Sequence, residues 1–282
     1  MSYPSIISQP GSAGRNLVPI LEALKPLLSF QDLDSSPQLP IFPLYTTHIE
    51  SSHNTEESGP STSSFNLDTI NKTRSSLRNH DLSRTSGTKQ DEERKKRKLL
   101  EIASGEHIPF LAKIWGQVEW YGSVRDIVEL RKLESYLAHH GDIPNLLPIR
   151  ILDISSEHHW EGLRDDLQGE MFEGVLIINL IHCLPPESPE NIFRQLSPFT
   201  QPRLLGPFGW IAIYGPWLTD NGLFRSENDE KFDRTHLKSQ HPSLGLRSIA
   251  SIDNLARKWG FGPSERREMP SGNTWVVWRA EC

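Results

Sequence analysis

Cysteine is almost absent from this chain of 282 residues, which contains only Cys183 and Cys282. Two cysteines are too few for a framework of disulfide bonds, and neither lies at the spacing of a metal-ligand motif. The paired histidines at 139–140 and 158–159 are adjacent in sequence, so the members of each pair do not point toward one ligand from a helix. The sequence therefore predicts a reducing, intracellular compartment and no metal.

Long apolar runs and an excess of basic charge are also missing. No stretch approaches the roughly 18 apolar residues that cross a bilayer, and the first residues, Met-Ser-Tyr-Pro, lack the regions of a signal peptide. The net charge is −6, from 30 Lys and Arg against 36 Asp and Glu, whereas nucleic-acid binding depends on clustered basic residues. We therefore expect a cytoplasmic protein whose partner is a small molecule, with no nucleic acid and no membrane bound; the oligomeric state stays open.

Residues 1–45 contain one segment with helical periodicity, at 16–28. Apolar residues recur there at helical spacing and share one face, and Pro19 is expected in the first turn, where proline is tolerated. The residues of that face are Leu17, Ile20, Leu21, Leu24 and Leu28. We interpret residues 1–45 as a lid or packing-helix segment of the domain that follows.

Residues 46–98 differ in composition from the rest of the chain. Residues 46–93 are rich in Ser, Thr, Asn, Asp and Glu and lack a hydrophobic pattern, so they are predicted to form a disordered insertion. The insertion ends in the basic run 94–98. We interpret this run as a solvated edge before the first strand; the alternatives are an anion-binding patch or a nuclear-import signal, which would add a nuclear location.

Residues 99–282 alternate between strand and helix patterns, which predicts a mainly parallel sheet wrapped by helices. The predicted strands are 99–103, 117–121, 149–154, 174–181, 209–214, 264–269 and 274–279. The predicted helices are 108–115, 127–139, 160–167, 189–197 and 252–259. The fold class is therefore α/β, with one domain at 99–282.

The first predicted strand is followed by Ser104, Gly105, Glu106 and His107 and then by a helix. A strand, a tight loop and a helix in this order form the place where nucleotide-type cofactors bind in doubly wound folds. Because the backbone must approach the ligand closely, such loops usually contain two or three glycines. Gly105 stands alone here, so whether this loop holds a cofactor is the central question of the sequence.

Polar and aromatic side chains follow the later strands, and ligands of open parallel sheets bind at that edge. His182 follows a buried strand and, with an ordinary pKa near 6.5, is the candidate general acid or base. Tyr214 is suited to hydrogen-bond a substrate carbonyl, and Trp217 to line an apolar substrate pocket. The structural alternatives are a buried histidine, a tyrosine whose hydroxyl is merely satisfied and a tryptophan of the core.

Several short blocks, in the same order, resemble the DUF938 or methyltransferase-like 26 family. The blocks are 11–16, 100–105, 178–182, 214–216, 232–233 and 269–273. The resemblance implies the Rossmann-like class I fold of S-adenosylmethionine-dependent methyltransferases, with a mainly parallel seven-stranded sheet and helices on both faces. It implies that S-adenosylmethionine is the cofactor, that Ser104, Gly105 and Asn179 contact it, and that Arg15 and Asn16 close over the substrate.

Two departures from the family pattern concern the cofactor. The loop 103–107 is two residues shorter and one glycine poorer than the family's, and Glu106 places a negative charge near the cofactor's carboxylate. At the end of the second strand the family's Ser-Asp is Ser123-Val124, so the ribose carboxylate would have to come from Asp126. A helix cap is the alternative role of Asp126. Asp153 is expected at the adenine amino group, or as the cap of its own loop.

Three functions remain open from the sequence. The first is methyl transfer from S-adenosylmethionine to a small molecule, within secondary-metabolite biosynthesis, with His182 as base. The second is a repurposed methyltransferase fold that catalyses a cofactor-independent isomerisation, cyclisation or pericyclic step, with His182 or Tyr214 donating to a carbonyl. The third is a non-catalytic binding protein that uses the insertion and the basic run.

Overall fold

A computed structural model of the protein describes residues 12–28 and 96–281. Seven strands form one sheet in the order β3-β2-β1-β4-β5-β7-β6, and only β7 runs antiparallel to its neighbours. The strands are β1 Arg97–Ile102, β2 Val118–Val124, β3 Arg150–Ile151, β4 Phe172–Ile178, β5 Leu205–Pro216, β6 Glu265–Glu268 and β7 Asn273–Arg279. The predicted mainly parallel, seven-stranded α/β sheet is confirmed.

Helices alternate with the strands as the sequence pattern predicts. They are α1 Ser12–Leu28, α2 Ile108–Ile114, α3 Ile127–Leu137, α4 Glu157–Leu167, α5 Ser188–Leu196, α6 Glu227–Phe232 and α7 Ile249–Lys258. Helix α6, which continues into a π-helical turn at Asp233–Leu237, was not predicted. Its sequence is mostly charged and lacks the apolar periodicity from which helices are recognised.

Helices cover both faces of the sheet. Arg266 and Arg267 are neighbours in β6, and successive side chains of a strand point to opposite faces. Arg266 pairs with Asp253 of α7 at 2.7 Å, whereas Nη1 of Arg267 donates to the carbonyl oxygen of Glu22 in α1 at 3.2 Å. Helices α1 and α7 therefore lie on opposite faces.

Helix α1 forms where the sequence predicts a helix, and its five predicted core residues are all at most 6% exposed. It begins at Ser12, four residues earlier than expected, so Pro19 lies in its interior and not in its first turn. Pro19 has no N–H to donate to the carbonyl of Arg15. The burial of one apolar face outweighs that missing hydrogen bond.

The main hydrophobic core lies on the face that α7 covers. On this face, residues of four strands pack against residues of α4, α5 and α7. The members from the sheet include Leu100, Ile102, Val175, Ile177, Ile211, Ile213, Val276 and Trp278, and those from the helices include Trp160, Phe193 and Ile252. Within the described residues, no helix is long and apolar enough to cross a membrane.

The basic run enters the sheet. Strand β1 begins at Arg97, two residues before its predicted start, because acidic side chains neutralise the charges of its first residues. Arg97 pairs with Glu173, and Lys98 pairs with Glu119 and with Glu170. Of the predicted disordered insertion 46–98, residues 46–95 lie outside the described residues, and these include Arg94 and Lys95 of the basic run.

Candidate functional site

The switch in strand order lies between β1 and β4, because the chain proceeds from β1 toward β3 on one side and from β4 toward β5 on the other. Ligands of open α/β sheets bind in the crevice at such a point, outside the carboxyl ends of the strands. The loops 103–107 and 179–183 follow β1 and β4 and flank this crevice. The site is therefore built from these two loops and from the ends of their neighbours.

Ser104 shapes the loop that follows β1. Its backbone N–H donates to the carbonyl of Ser123 at 2.6 Å, and its hydroxyl donates to the carbonyl of Glu101 at 3.2 Å and accepts from the N–H of Ser123 at 3.0 Å. The preceding residue, Ala103, has φ 57°, in the left-handed region. Ser104, predicted to bind the cofactor, thus ties the loop to β2 with its hydroxyl.

Gly105 occupies the open part of this loop. Apart from its two chain neighbours, no described residue has a heavy atom within 4 Å of the position that a Cβ on Gly105 would take. Helix α2 begins at Ile108, whose N–H reaches the carbonyl of Gly105 at 3.4 Å, so the helix follows the strand almost directly. The short loop therefore keeps free space on the side of Gly105, where a ligand can approach the backbone.

Beneath this loop lies a buried acidic residue, Glu101, which was not among the predicted site residues. It is 1% exposed, and in the sheet it lies between Gly122 of β2 and Leu176 of β4. Burial raises the pKa of Glu101 to about 8, and a hydrogen bond with Ser104 opposes this shift only in part. In the described part of the chain its Oε2 has no hydrogen-bond partner. The signal was available, since Glu101 is the one charged residue within the apolar run 99–103.

Asp126 caps helix α3, so the alternative reading of this residue is confirmed. Its Oδ1 accepts the N–H groups of Val128 at 2.9 Å and Glu129 at 3.0 Å, and its Oδ2 accepts from Arg125 at 3.1 Å. The hydrogen bond from Glu129 is the main cause that lowers the pKa of Asp126. Glu129 is itself paired with Arg125. Both carboxylates at the end of β2 are thus engaged within the protein.

Asp153 closes the loop after β3. Its Oδ1 accepts the N–H of Ser155 at 2.9 Å and the hydroxyl of Ser155 at 2.7 Å, and its own N–H donates to Nδ1 of His159 at 2.9 Å. This is the loop-capping role that stood as the alternative to adenine binding. Among the described residues, none binds Oδ2 of Asp153, which keeps one acceptor free at this edge.

Asn179 turns the chain sharply at the end of β4. Its φ is 52°, its N–H donates to the carbonyl of Tyr214 at 2.8 Å, and its carbonyl accepts from Sγ of Cys183 at 3.6 Å. Asparagine tolerates the left-handed region better than most residues. A Cβ on Gly215 would lie 3.4 Å from Oδ1 of Asn179 and 3.7 Å from Nδ1 of His182, which are ordinary contact distances, so both side chains lie close to β5 at this residue.

His182 lies inside the protein and is 6% exposed. Its ring meets that of Phe232 edge to face, with 5.5 Å between the centroids. Burial, aided by the charge of Arg247 and opposed by Asp233, lowers the pKa of His182 to about 4. The expected ordinary pKa near 6.5 is therefore wrong, because the sequence does not reveal how deeply the ring is buried. At neutral pH His182 is an uncharged imidazole and a weak base.

Tyr214 lies near the end of β5 and Trp217 comes directly after that strand, and the two side chains lie in different surroundings. Tyr214 is 1% exposed, and its hydroxyl accepts a hydrogen bond of 2.9 Å from Nδ2 of Asn273. Burial raises the pKa of Tyr214. Trp217 is 2% exposed, donates from Nε1 to the carbonyl of Thr274 at 3.2 Å and packs against Trp278 in the main core. The ring of Trp217 thus contributes to the core, and its contact with a substrate stays a prediction.

Arg15 is exposed and Asn16 is half-buried near the start of α1. The helix ends near the first residue of β1, because Arg97 donates to the carbonyl groups of Leu27 and Leu28. The first residue of β1 lies at the amino-terminal end of the strand, and the ligand crevice lies at the carboxyl-terminal end. Further toward its start, Glu22 of the same helix meets Arg267 of β6, and the closing of Arg15 and Asn16 over the substrate stays a prediction.

Metal ligands do not gather at this site. Within residues 12–28 and 96–281, no three His, Cys, Asp or Glu side chains are grouped so that they could hold an ion. Nδ1 of His159 accepts from the backbone of Asp153, and the ring of His140 packs against Phe110. These histidines serve local structure.

The chain is similar to a described family and to solved structures. Residues 73–280 match the model of the DUF938 family, which is described as a protein of unknown function. The match begins inside the predicted insertion and does not include the block 11–16. An O-methyltransferase family protein from Burkholderia thailandensis is 14% identical, with a TM-score of 0.52 over 66% of this chain and 51% of that one. For mitomycin 7-O-methyltransferase the identity is 10%, with a TM-score of 0.51 over 66% of this chain and 49% of that one.

These similarities agree with the strand order and with the crevice between β1 and β4. The chain spans about half the length of these two solved structures. At these identities the structures establish the fold, and the family match covers most of the chain. The protein therefore belongs to the DUF938 family and has the class I methyltransferase fold.

Proposed function

We propose that this protein is a methyltransferase-like enzyme that binds S-adenosylmethionine in the crevice between β1 and β4 and transfers its methyl group to a small molecule of secondary metabolism. The observation that carries the proposal is the buried carboxyl of Glu101, whose Oε2 has no partner among the described residues, beneath a loop that is open at Gly105. A buried polar group without a protein partner requires an explanation, and at the crevice a ligand atom that bonds to it supplies one.

The described residues fit the two ends of this cofactor. Glu101 offers an acceptor suited to an ammonium group, and Gly105 gives the space for close approach. Oδ2 of Asp153 is free to accept from an amino group at the other end. The ribose part has the weakest support, because Asp126 and Glu129 are engaged with α3 and Arg125. We therefore expect binding that is weaker than in a site with a free carboxylate after β2.

When bound, S-adenosylmethionine supplies an electrophilic methyl group on a sulfonium. The protein's own part is then mainly positioning, since methyl transfer requires alignment of the acceptor with that methyl group. We assign the substrate contact to Tyr214, whose backbone carbonyl accepts from the N–H of Asn179 at the turn after β4, so the residue lies at the carboxyl ends of the strands. His182 is uncharged at neutral pH and contributes a polar but neutral wall, not a strong base.

A cofactor-independent rearrangement is the second candidate. It is favoured by one observation, the engagement of Asp126 and Glu129 within the protein, which removes the ribose carboxylate. In that case Tyr214 would polarise a carbonyl of the substrate, and the crevice would contribute shape. This candidate requires no binding of S-adenosylmethionine or S-adenosylhomocysteine.

Proton release distinguishes the two candidates. Titration calorimetry with S-adenosylhomocysteine near pH 7, in two buffers that differ in ionisation enthalpy, counts the protons released on binding. Since the pKa of Glu101 is about 8, this carboxyl is mostly protonated before binding and must ionise to meet an ammonium group. We expect the wild type to release a large fraction of a proton and Glu101→Gln to release none. Absence of binding to folded wild type at millimolar ligand would favour the second candidate.

A further inference from the structure

The side chain of Asn273 donates a hydrogen bond to the hydroxyl of Tyr214. Its amide nitrogen Nδ2 lies 2.9 Å from Oη of Tyr214 and 3.5 Å from the carbonyl oxygen of Pro270. The carbonyl of Pro270 can only accept a hydrogen bond, which fixes the amide with its NH₂ group toward both oxygens. The hydroxyl of Tyr214 is therefore the acceptor in its bond with Asn273, and its own proton points elsewhere.

The proton of this hydroxyl has no acceptor in the described structure. No hydrogen bond donated by Oη of Tyr214 is found within residues 12–28 and 96–281, and the residue is 1% exposed, so bulk water does not take the proton. A buried donor that is left unpaired costs free energy and requires an explanation. A ligand oxygen that accepts this proton provides one.

The turn that carries Asn273 is held in an unusual backbone conformation. Ser271 has φ 61° and Gly272 has φ 75°, and the N–H of Met269 donates to the carbonyl of Asn273 at 2.9 Å. Serine pays a conformational cost in the left-handed region, and such costs are concentrated at functional sites. The turn between β6 and β7 thus places the amide of Asn273 on Tyr214 at the expense of local strain.

The surroundings of Tyr214 favour an oxygen anion as the group that is bound. The hydroxyl of Tyr214 is a donor, and among the described residues its one hydrogen-bond partner is the neutral amide of Asn273, so no strong base that could remove a proton from the substrate is bonded to it. An acceptor that ionises by itself needs no such base. Away from water, a hydrogen bond to a charged oxygen is stronger than one between neutral groups.

We propose that Tyr214 donates its hydroxyl proton in a hydrogen bond to the anionic oxygen of an acidic phenol or enol, and that Asn273 is the positioning residue that fixes Tyr214 as the donor. This inference rests on the proposed function and names the class of its methyl acceptor. In the reaction the anionic oxygen forms a bond to the methyl carbon while the carbon–sulfur bond breaks, and the electron pair of that bond remains on sulfur. No proton leaves the substrate in this step, so the protein needs no general base.

The test uses small chromogenic phenols as probes. Binding of 4-nitrophenol, a dinitrophenol and a nitro-substituted naphthol to the full chain is followed by the absorbance of the phenolate, with and without saturating S-adenosylhomocysteine. The variants are Tyr214→Phe, which removes the donor, and Asn273→Asp, whose carboxylate accepts the proton of Tyr214 and so occupies the donor. Tyr121→Phe is the matched control, because Tyr121 bonds with Lys98 on β1 and takes no part in the site.

We expect the wild type and Tyr121→Phe to bind at least one phenolate equally well. Binding should be about 10- to 100-fold weaker in Tyr214→Phe and in Asn273→Asp, as for the loss of a hydrogen bond to a charged group. Methyl ethers of the same phenols should not bind through this contact, so their affinity should be unchanged by either variant. Thermal unfolding of each variant confirms that it is folded.

Two results would overturn the inference. One is phenolate binding that is unaffected by Tyr214→Phe and Asn273→Asp; the other is the absence of phenolate binding to a wild type that binds S-adenosylhomocysteine. The second result leaves the proposed function intact and removes only the substrate class. Phenolate binding that depends on Tyr214, in a protein that binds no S-adenosylhomocysteine, would contradict the proposed methyl transfer and retain the role of the Tyr214–Asn273 pair.

Discussion

Nη1 of Arg97, the first residue of β1, donates a hydrogen bond of 2.9 Å to the carbonyl oxygen of Leu28, the last residue of α1. Nη2 of the same guanidinium donates to the carbonyl of Leu27 at 2.8 Å, and Glu173 pairs with its charge. The last carbonyl groups of a helix have no partner within the helix, and a cation is stabilising there. Arg97 therefore attaches the end of α1, the helix that contains Arg15, to the first residue of the central strand β1.

Arg97→Gln is expected to loosen α1. The loss of two hydrogen bonds and of a charge at the helix end should lower the free energy of unfolding by about 1–3 kcal/mol. Hydrogen exchange measured by mass spectrometry should become faster in residues 12–28. Arg279→Gln is the control, since Arg279 forms an exposed pair with Glu265, and exposed pairs contribute about 0–1 kcal/mol. Equal exchange of α1 in both variants would show that Arg97 does not anchor the helix.

Glu101 should make stability depend on pH. Its pKa is raised from 4.5 to about 8, so the folded protein retains a proton that the unfolded chain loses above pH 4.5. The free energy of unfolding therefore contains a contribution from the neutral carboxyl that is fully present below pH 4.5 and is lost as the pH rises toward 8. The loss amounts to a few kcal/mol, at about 1.36 kcal/mol per pKa unit. Urea unfolding at pH 5 and pH 8.5 measures this loss.

Glu101→Gln is the matched variant because glutamine stays neutral. The stability of this variant relative to wild type should increase between pH 5 and pH 8.5, whatever other groups titrate. An unchanged difference between the two proteins at both pH values would mean that Glu101 is ionised in the folded state.

His182 should titrate far below neutrality. Its pKa is lowered from 6.5 to about 4, mainly by burial, so the stability given by the neutral ring is present above pH 6.5 and is lost as the pH falls toward 4. NMR of the imidazole carbon-bound protons, assigned with His182→Gln, should give a midpoint near 4. A midpoint between 6 and 7 would contradict the neutral state assigned to His182 and would restore this residue as a general base at neutral pH.

Much of the fold could be predicted from periodicity. The strand and helix patterns from residue 99 onward follow burial, and burial repeats every two residues in strands and every three to four in helices. Helix α6 was missed because its burial is slight and its sequence is charged. The early start of β1 was missed because it depends on Glu173 and Glu170, which are distant in sequence.

The candidate site was predicted less well, because its chemistry depends on partners that the sequence does not reveal. The position of His182 after a buried strand was clear, but its neutrality follows from the packing of Phe232 and from the charge of Arg247. Similarly, Tyr214 was selected by position alone, and the direction of its hydroxyl follows from Asn273, 59 residues later. Glu101 was visible as a charge within an apolar strand and was overlooked.

The direct test of the central claim is titration calorimetry of the full chain with S-adenosylhomocysteine, for wild type, Gly105→Asp and Gly116→Asp. Both glycines have free space at their Cβ positions, but Gly116 precedes β2 at the opposite end of the sheet, so it is a matched control. We predict micromolar binding by the wild type and by Gly116→Asp, and none by Gly105→Asp, whose new carboxylate enters the open part of the loop. Absence of binding to folded wild type at millimolar ligand, or equal binding by all three proteins, would contradict a cofactor site at Gly105.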